Sequence, residues 1–363
     1  MTNETIAAKK PRLGWLDALR GFTMILVVTN HVALKSFGMQ IRWSAALQFF
    51  LLFRMPLFFF ISGFLAYKAS RLWDARTLRE LSLKKMRVQL IPTIVFFLLY
   101  LALIPSAPFL DSLQEALASG MKAGYWFTLV LLYMLLTYYL FSYVEIKCLP
   151  RRLSWIPITF LFVVSLCLFE TCYLPRYFSW ALGYKGEPNA FMNYSSLVEM
   201  IRYFPFFLFG TMVHRYWDRA QRLMDSAWFF PVVTVLAVVC TLEVIVWHNL
   251  RLAWASLPHT LAMFLLLSVV FMFFRYYHDF FEQTRFGLSL QFIGRRTLDI
   301  YLLHYFFLPK LPMVGEFFRV NRHNFILDTT ASLAIALLVV AFCVLASNIL
   351  RVSPFLKKYL FGR

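Results

Sequence analysis

Apolar residues in this sequence come in runs of about 20, the length of helix that crosses the hydrocarbon core of a bilayer. The composition agrees, because 61% of the residues are hydrophobic and 15% are charged, whereas soluble domains carry about a quarter charged residues. Backbone groups in lipid must be satisfied within their own segment, so these runs are predicted to be helices. The sequence therefore predicts an all-α polytopic membrane protein with about ten transmembrane helices, at 15–35, 45–67, 88–105, 126–144, 155–173, 199–214, 228–247, 256–274, 289–309 and 328–350.

The distribution of lysine and arginine predicts the orientation of these helices. With the N-terminus in the cytoplasm, 24 of the 36 basic residues fall on the cytoplasmic side, 9 on the other side and 3 within spans. Both termini are therefore predicted to be cytoplasmic, with a tail at 1–14, a membrane domain at 15–350 and a basic tail at 351–363. The net charge of +18 then reflects topology and contact with membrane lipid, and nucleic acid is not an expected partner. The five cysteines show neither paired nor metal-ligand spacing, so no metal is expected.

The stretch from Asp17 to His31 in the first segment carries three ionisable side chains, Asp17, Arg20 and His31. Arg20 and His31 are eleven positions apart. At 100° per residue their side chains project within roughly 20° of one another, about 16 Å apart along the axis. Asp17 lies near the same stripe. Ionisable groups at membrane depth are costly and normally face a protein interior or a watery cavity. This face of the segment is therefore predicted to be the wall of an active site.

Basic side chains collect where three predicted segments meet the cytoplasm. Arg20 belongs to the first segment, Lys84 and Arg87 to the start of the third, and Arg295 and Arg296 to the ninth. Such a cluster would hold a multiply phosphorylated ligand through charge-assisted hydrogen bonds. Lysine and arginine also occur at cytoplasmic helix ends for topology alone, and that alternative stays open.

Coenzyme A fits this spacing. Its phosphates need cations near the cytoplasm, and its long pantetheine arm could bridge the gap of about 16 Å between Arg20 and His31. His31 would then meet the thioester, either as a general base for an alcohol or as a nucleophile that carries the acyl group. The alternative is a structural histidine that only makes hydrogen bonds.

Arg54 lies in the second segment, about 13 Å from its outer end and at a depth comparable with His31. A guanidinium at mid-membrane needs a partner. It could stabilise a developing oxyanion or orient an acceptor hydroxyl. It could also simply pair with an acid such as Glu170 or Glu199.

Three aromatic or imidazole side chains are candidates for binding an acceptor. Trp126 begins the fourth segment, where it would serve as an interfacial anchor or as a platform on which a ligand stacks. Tyr301 and His304 lie with Asp299 in the ninth segment, and either function or structural hydrogen bonding could explain them. The outer loop at 174–198 could hold a saccharide or only cover the protein.

Several motifs resemble those of the acyltransferase 3 family of integral membrane acyltransferases, and the resemblance covers nearly the whole chain. Trp15-Leu-Asp-Ala-Leu-Arg20-Gly with His31 matches the family signature of arginine, ten residues and histidine. Phe53-Arg-Met-Pro-Leu-Phe-Phe-Phe-Ile-Ser-Gly63 is the second anchor. Trp126-Phe127 and Ile300-Tyr-Leu-Leu-His304 resemble two less specific elements. The family's Arg-x-x-Arg pair stands here as Lys84-x-x-Arg87.

The resemblance implies ten helices, an acetyl-CoA type of acyl donor taken from the cytoplasm, and an acceptor hydroxyl on a cell-surface or periplasmic glycan or glycolipid. It also implies a location in a bacterial inner membrane. The resulting hypothesis is a membrane O-acyltransferase, most simply an O-acetyltransferase. Three roles are assigned: catalysis to His31, Asp17 and Arg54; donor binding to Arg20, Lys84, Arg87 and Arg296; acceptor binding to Trp126, Tyr301 and His304.

The competing hypothesis is a transporter or flippase for an anionic glycan or lipid, which would use the same buried charges as a permeation path. Transporters of this kind have paired, interrupted helices in their two halves. The sequence does not indicate such a pair.

Overall fold

The computed structural model describes residues 13–40, 43–68, 73–104, 107–148, 150, 153, 155–173, 190–247, 257–321, 325–354, 356 and 360. Within these ranges the chain forms helices and no β-strand, which confirms the all-α prediction. π-Helical residues extend α1 (Val32–Ser36) and α11 (Glu243–Trp247) and join α3 to α4 (Met86–Leu90). The helices are α1 (Gly14–His31), α2 (Ala45–Ala66), α3 (Ala75–Lys85), α4 (Ile91–Leu103), α5 (Phe109–Ala118), α6 (Trp126–Cys148), α7 (Trp155–Tyr173), α8 (Ala190–Ser195), α9 (Leu197–Arg215), α10 (Trp217–Met224), α11 (Phe229–Leu242), α12 (Leu257–Tyr276), α13 (His278–Gln283), α14 (Arg285–Gly294), α15 (Thr297–Phe307), α16 (Pro312–Val320) and α17 (Phe325–Leu350).

Six helical stretches in the described part of the chain are long and apolar enough to cross a membrane. They coincide with the second, third, fourth, seventh, eighth and tenth predicted segments, and α7 is apolar over a shorter stretch, Trp155–Glu170. The count of ten spans and the cytoplasmic location of both termini stay predictions, since residues 1–12 and 361–363 lie outside the described ranges. The six stretches are Ala46–Ala66, Ala75–Leu103, Trp126–Cys148, Phe229–Val246, Leu257–Tyr276 and Ile326–Leu350.

α1 is enclosed by the rest of the protein. All of its residues except Arg20, Phe22 and His31 are buried, and it packs against α2, α12, α13, α14, α15 and α17. Its first turn is held by a hydrogen bond of 3.1 Å from the backbone N–H of Trp15 to the carboxylate of Glu282. The ionisable side chains of α1 therefore face protein or a cavity, which is the environment that such groups require at membrane depth.

Two glycines bring α1 and α14 into direct backbone contact. A Cβ atom at Gly21 would collide with the carbonyl oxygen of Leu290, and one at Gly294 would collide with that of Asp17. Small residues at helix interfaces allow this close approach. The contact fixes the position of α14 beside the N-terminal half of α1.

The predicted ninth segment, 289–309, is not one continuous helix, and this expectation is corrected. α14 ends at Gly294 and α15 begins at Thr297, with Arg296 at φ −113° and ψ 15° between them. Gly294 lies in backbone contact with α1, so the C-terminal end of α14 is packed directly against α1. The chain then turns before α15 packs against α4 and α17.

The third helical stretch begins earlier than predicted. It starts at Ala75, where the carboxylate of Asp74 accepts a hydrogen bond of 2.6 Å from the backbone N–H of Thr77 and caps the helix. Hydropathy marks only the apolar part from 88 onward. Lys84 and Arg87 consequently lie inside a continuous helix that ends at Leu103.

We expect Gly63→Ala to lower stability, because a Cβ atom at this position on α2 would collide with the Phe207 carbonyl oxygen of α9. Overpacking of this kind costs about 1–3 kcal/mol. Gly120→Ala is the control, since the nearest atom to its Cβ would be Oδ1 of Asn193 at 3.7 Å. Thermal unfolding of the purified protein in detergent measures both variants. Equal melting temperatures would contradict the backbone contact between α2 and α9.

Candidate active site

A cavity of about 960 Å³ lies between α1, α2, α4, α6, α9 and α15. This volume is at the upper end of the range for small-molecule sites. The cavity wall includes Arg20, Met24, Val27, Asn30 and His31 of α1 and Leu34 of its π-helical extension, most of which recur at helical spacing. The structure thus brings Arg20 and His31 to one cavity.

His31 is hydrogen-bonded to His304, and the direction of the bond follows from a neighbouring contact. Nδ1 of His31 lies 2.7 Å from Nε2 of His304. Nδ1 of His304 lies 2.8 Å from the carbonyl oxygen of Tyr301 and 3.1 Å from that of Ile300. Carbonyl oxygens only accept, so this nitrogen carries a hydrogen. In the neutral pair, Nε2 of His304 therefore accepts from Nδ1 of His31, and Nε2 of His31 keeps its lone pair.

Two rings fix the imidazole of His31. It stacks on His304 with ring centroids 5.0 Å apart, and on Tyr305 with centroids 5.2 Å apart. The ammonium of Lys35 lies 4.7 Å from the centroid of the Tyr305 ring. His304 is fully buried, whereas His31 lines the cavity. An imidazole held in this way presents a basic nitrogen in a fixed orientation, which proton transfer requires.

Arg54 is buried in the cavity wall and forms no ion pair with any described residue. Its Nε and Nη1 atoms have no hydrogen-bond partner there either. The two acids predicted as alternative partners are engaged elsewhere. Glu170 accepts a hydrogen bond from Thr260, and Glu199 lies 3.6 Å from Arg202. A buried cation without an acid partner is costly, and Arg54 borders a cavity that a negative or polar group can enter.

Arg20, Lys85 and Thr297 also line the cavity, and Arg20 lies about 16 Å from His31 along α1. Nη2 of Arg20 donates to Oγ1 of Thr297 at 2.9 Å. The carboxylate of Asp17 lies 3.7 Å from Nη1 of Arg20 and 3.5 Å from Nε of Arg295. Asp17, predicted as catalytic, is not among the described residues that line the cavity; it lies beside the two guanidiniums.

Lys84 and Arg87, the predicted donor-binding pair, are exposed and are not among the described residues of the cavity wall. Lys85 lies between them and does line the cavity. Adjacent helical residues point about 100° apart, so only one of the two lysines can face inward. The predicted roles of Lys84 and Arg87 stay predictions.

Arg296 points away from the cavity. Its guanidinium lies 3.9 Å from the ring centroid of Phe292 and donates to Oδ1 of Asn348 at 3.3 Å. The structure therefore does not bring Arg296 to the other residues predicted to bind the donor. Asp299 is engaged in the fold, because Arg351 donates to its two carboxylate oxygens at 2.7 and 3.0 Å.

Trp126 and Tyr301, predicted to bind an acceptor, both line the cavity. Trp126 stacks on Tyr203 with ring centroids 5.6 Å apart and planes 23° apart. The hydroxyl of Tyr301 donates to the carbonyl oxygen of Gly124 at 2.9 Å and accepts from the backbone N–H of Phe127 at 3.2 Å. Tyr301 thus fixes the start of α6, on which Trp126 lies. The loop predicted at 174–198 lies outside the described residues as far as 189.

The turn before α6 has an unusual backbone. Lys122, Ala123 and Gly124 have φ angles of 47°, 52° and 106°, in the left-handed region. Burial lowers the pKa of Lys122, and its ammonium donates to three backbone carbonyl oxygens at 2.7–2.8 Å. A Cβ atom at Gly124 would collide with the ring of Tyr305. The turn is therefore fitted to the aromatic ring that stacks on His31.

The sequence-based assignment of site residues omits several polar residues of the cavity wall, including Asn30, Tyr305, Lys35, Lys85 and Thr297. Asn30 precedes His31 and Tyr305 follows His304, so a search for polar side chains beside the predicted histidines finds both. The other three are Lys35, Lys85 and Thr297. Whether they face the cavity depends on the rotation and packing of their helices, which the sequence alone does not indicate.

These features define an all-α membrane protein in which a histidine pair, with His304 buried and His31 half-buried, borders a large cavity. The chain matches the family model for an acyltransferase domain over residues 13–348. It belongs to the acyltransferase 3 family, as the motif resemblance predicts, and is accordingly a membrane acyltransferase. No curated protein and no solved structure matches the chain.

Arg54→Met is expected to preserve or raise the melting temperature of the ligand-free protein, because it removes a buried charge that has no acid partner. Arg215→Met is the control. The guanidinium of Arg215 donates to both carboxylate oxygens of Glu145 at 2.6 and 3.1 Å, and breaking a buried pair costs about 3–5 kcal/mol. Thermal unfolding in detergent compares the two. An equal loss in both variants would show that Arg54 has a structural partner.

Proposed function

We propose that this protein transfers an acyl group, most simply acetyl, from acyl-CoA to a hydroxyl of a cell-surface glycan or glycolipid. Membership of the family supports acyl transfer; the donor and the acceptor are part of the proposal. One observation carries it: Arg20 and His31 line the same cavity, about 16 Å apart along α1. This separation suits a donor whose phosphates and thioester lie at opposite ends of a long arm.

The donor phosphates would bind at the end of the cavity that Arg20, Lys85 and Thr297 line. Arginine suits phosphate because its guanidinium donates two parallel hydrogen bonds. Asp17 would act as a positioning residue, since its carboxylate lies next to the guanidiniums of Arg20 and Arg295. We propose that this end faces the cytoplasm of a bacterial cell, where acyl-CoA is found, and that the protein lies in the inner membrane.

His31 would act as the general base. Its Nε2 takes the proton of the acceptor hydroxyl, whose oxygen attacks the carbonyl carbon of the thioester and forms the new C–O bond. The resulting oxyanion would be stabilised by the N–H groups of Arg54. Collapse of this intermediate breaks the C–S bond, and the thiolate of CoA takes the proton back from His31. His304, which donates to the Tyr301 carbonyl, would hold His31 in the tautomer that this step needs.

The acceptor would bind beside Trp126, which lines the cavity, and would enter from the side away from the donor phosphates. Trp126, whose indole is backed by the stacked ring of Tyr203, offers an aromatic face that suits stacking against the C–H face of a sugar ring. Tyr301 would position Trp126, because its hydroxyl bonds to the backbone on both sides of that residue.

The proposal is tested with radiolabelled acetyl-CoA and purified protein in detergent. His31→Ala should lower the rate of CoA release by at least about 100-fold, the range expected for loss of a general base. His304→Phe should lower the rate as well, whereas His304→Gln should retain more activity because its Oε1 can accept from Nδ1 of His31. CoA release that persists in His31→Ala would remove the catalytic assignment. A wild-type protein that does not bind CoA would favour the transporter hypothesis.

Lys85→Ala is expected to weaken CoA binding about tenfold, the effect of losing one hydrogen bond to a charged group. Lys84→Ala is the matched control, and it should leave the affinity nearly unchanged because Lys84 does not line the cavity. Calorimetric titration of each variant with CoA measures both constants. A larger loss in Lys84→Ala would instead support the predicted pair of Lys84 and Arg87.

A further inference from the structure

Asn30 is a buried polar side chain with no partner among the described residues. It is 1% exposed, and neither Oδ1 nor Nδ2 has a hydrogen-bond partner there. The residue nevertheless lines the cavity and directly precedes His31. Buried polar atoms in proteins are almost always paired, because an unmade hydrogen bond in the interior is costly. Because Asn30 borders the cavity, a group that enters the cavity can supply the missing partner.

The chemistry of the side chain narrows the kind of ligand. A carboxamide offers an acceptor and two donors, so it is satisfied by a ligand that presents both a C=O and an N–H group. Arg54 also has unpaired nitrogen atoms in the same wall, but it offers donors only and suits an oxyanion or a carbonyl. The two residues are thus complementary to different parts of one ligand: Arg54 to the reacting oxygen and Asn30 to an amide.

The position of Asn30 narrows the source of this amide. Asn30 lies on the Arg20 side of His31, about 1.5 Å nearer to the donor end along α1. A pantetheine arm that runs from Arg20 to His31 passes Asn30 just before its thioester. This arm contains two successive amide groups, so a C=O and an N–H lie within reach of one carboxamide. An acetamido group on an acceptor sugar has the same chemistry, but it would approach from the opposite end.

We propose that Asn30 binds an amide of the pantetheine arm next to the thioester and thereby sets how far the donor reaches toward His31. The inference rests on the proposed function, because it takes acyl-CoA as the donor. It makes Asn30 a donor-binding residue that acts independently of the phosphate contacts at Arg20.

The test uses Asn30→Leu, which keeps the size of the side chain and removes its polar atoms, with Arg20→Ala as the control. Three probes are compared: CoA, S-acetylpantetheine, which keeps the amides but lacks the nucleotide phosphates, and an S-acetyl alkanethiol of equal length without amides. Asn30→Leu should weaken binding of CoA and of S-acetylpantetheine by about tenfold each and leave the alkanethiol unaffected. Arg20→Ala should weaken binding of CoA alone.

A stability measurement separates binding from a structural role. The ligand-free Asn30→Leu protein should melt no lower than the wild type, because two unpaired buried atoms are removed, while the rise in melting temperature on adding CoA should shrink. A lower melting temperature without CoA would assign Asn30 to the fold and overturn the proposal.

The remaining outcomes also decide. If the wild type binds CoA and Arg20→Ala weakens it, but Asn30→Leu binds all three probes like the wild type, the proposal fails while the proposed function stands. A further comparison adds N-acetylglucosamine or glucose as an inhibitor of CoA release. If both sugars inhibit the wild type, and Asn30→Leu abolishes inhibition by N-acetylglucosamine but not by glucose, the amide that Asn30 recognises belongs to the acceptor. If the wild type binds none of the probes, the proposed function itself fails.

Discussion

The enclosure of α1 by other helices is the constraint on which the rest of this structure depends. A helix that carries Asp17, Arg20 and His31 is costly in contact with lipid. Glycines at 21 and 294 remove this problem, because they let the backbones of α1 and α14 touch and keep the N-terminal half of α1 inside the protein. The polar face of α1 is thereby left to line a cavity, and the apolar faces pack against the surrounding helices. The enclosure of α1 therefore determines both how the surrounding helices pack and which side chains line the cavity.

Much of the fold follows from hydropathy, because a helix is the form in which an apolar run satisfies its backbone in lipid. Hydropathy does not locate the ends of helices where those ends consist of polar residues. It misses the polar turns that begin at Ala75, which depend on a cap at Asp74. It also misses the break at Arg295 and Arg296, where neither residue is a helix breaker and the turn lies directly after the contact of Gly294 with α1. A helix break of this kind depends on tertiary contacts, which the local sequence does not encode.

The site shows the same division. Helical arithmetic is sufficient for Arg20 and His31, because both lie on one regular helix. The sequence-based prediction selects Lys84, whereas Lys85 lines the cavity. An error of one residue turns the side chain by about 100° and so moves it from the inner face of the helix to the outer face. His304 is predicted as a ligand contact, but it lies behind His31 as a hydrogen-bond partner. Which of two polar groups faces the cavity depends on how α15 packs against α1, and spacing along the chain does not contain that information.

The turn at Lys122–Gly124 shows how far the active site extends into the scaffold. The ring of Tyr305 lies against Gly124 on one side and stacks on the imidazole of His31 on the other. Loops that connect helices usually tolerate insertions and deletions. Here a change in loop length, or any side chain at 124, would displace the ring of Tyr305 and with it the imidazole of His31. This connection therefore has less freedom to change in length or in side chain than a loop that makes no such contacts.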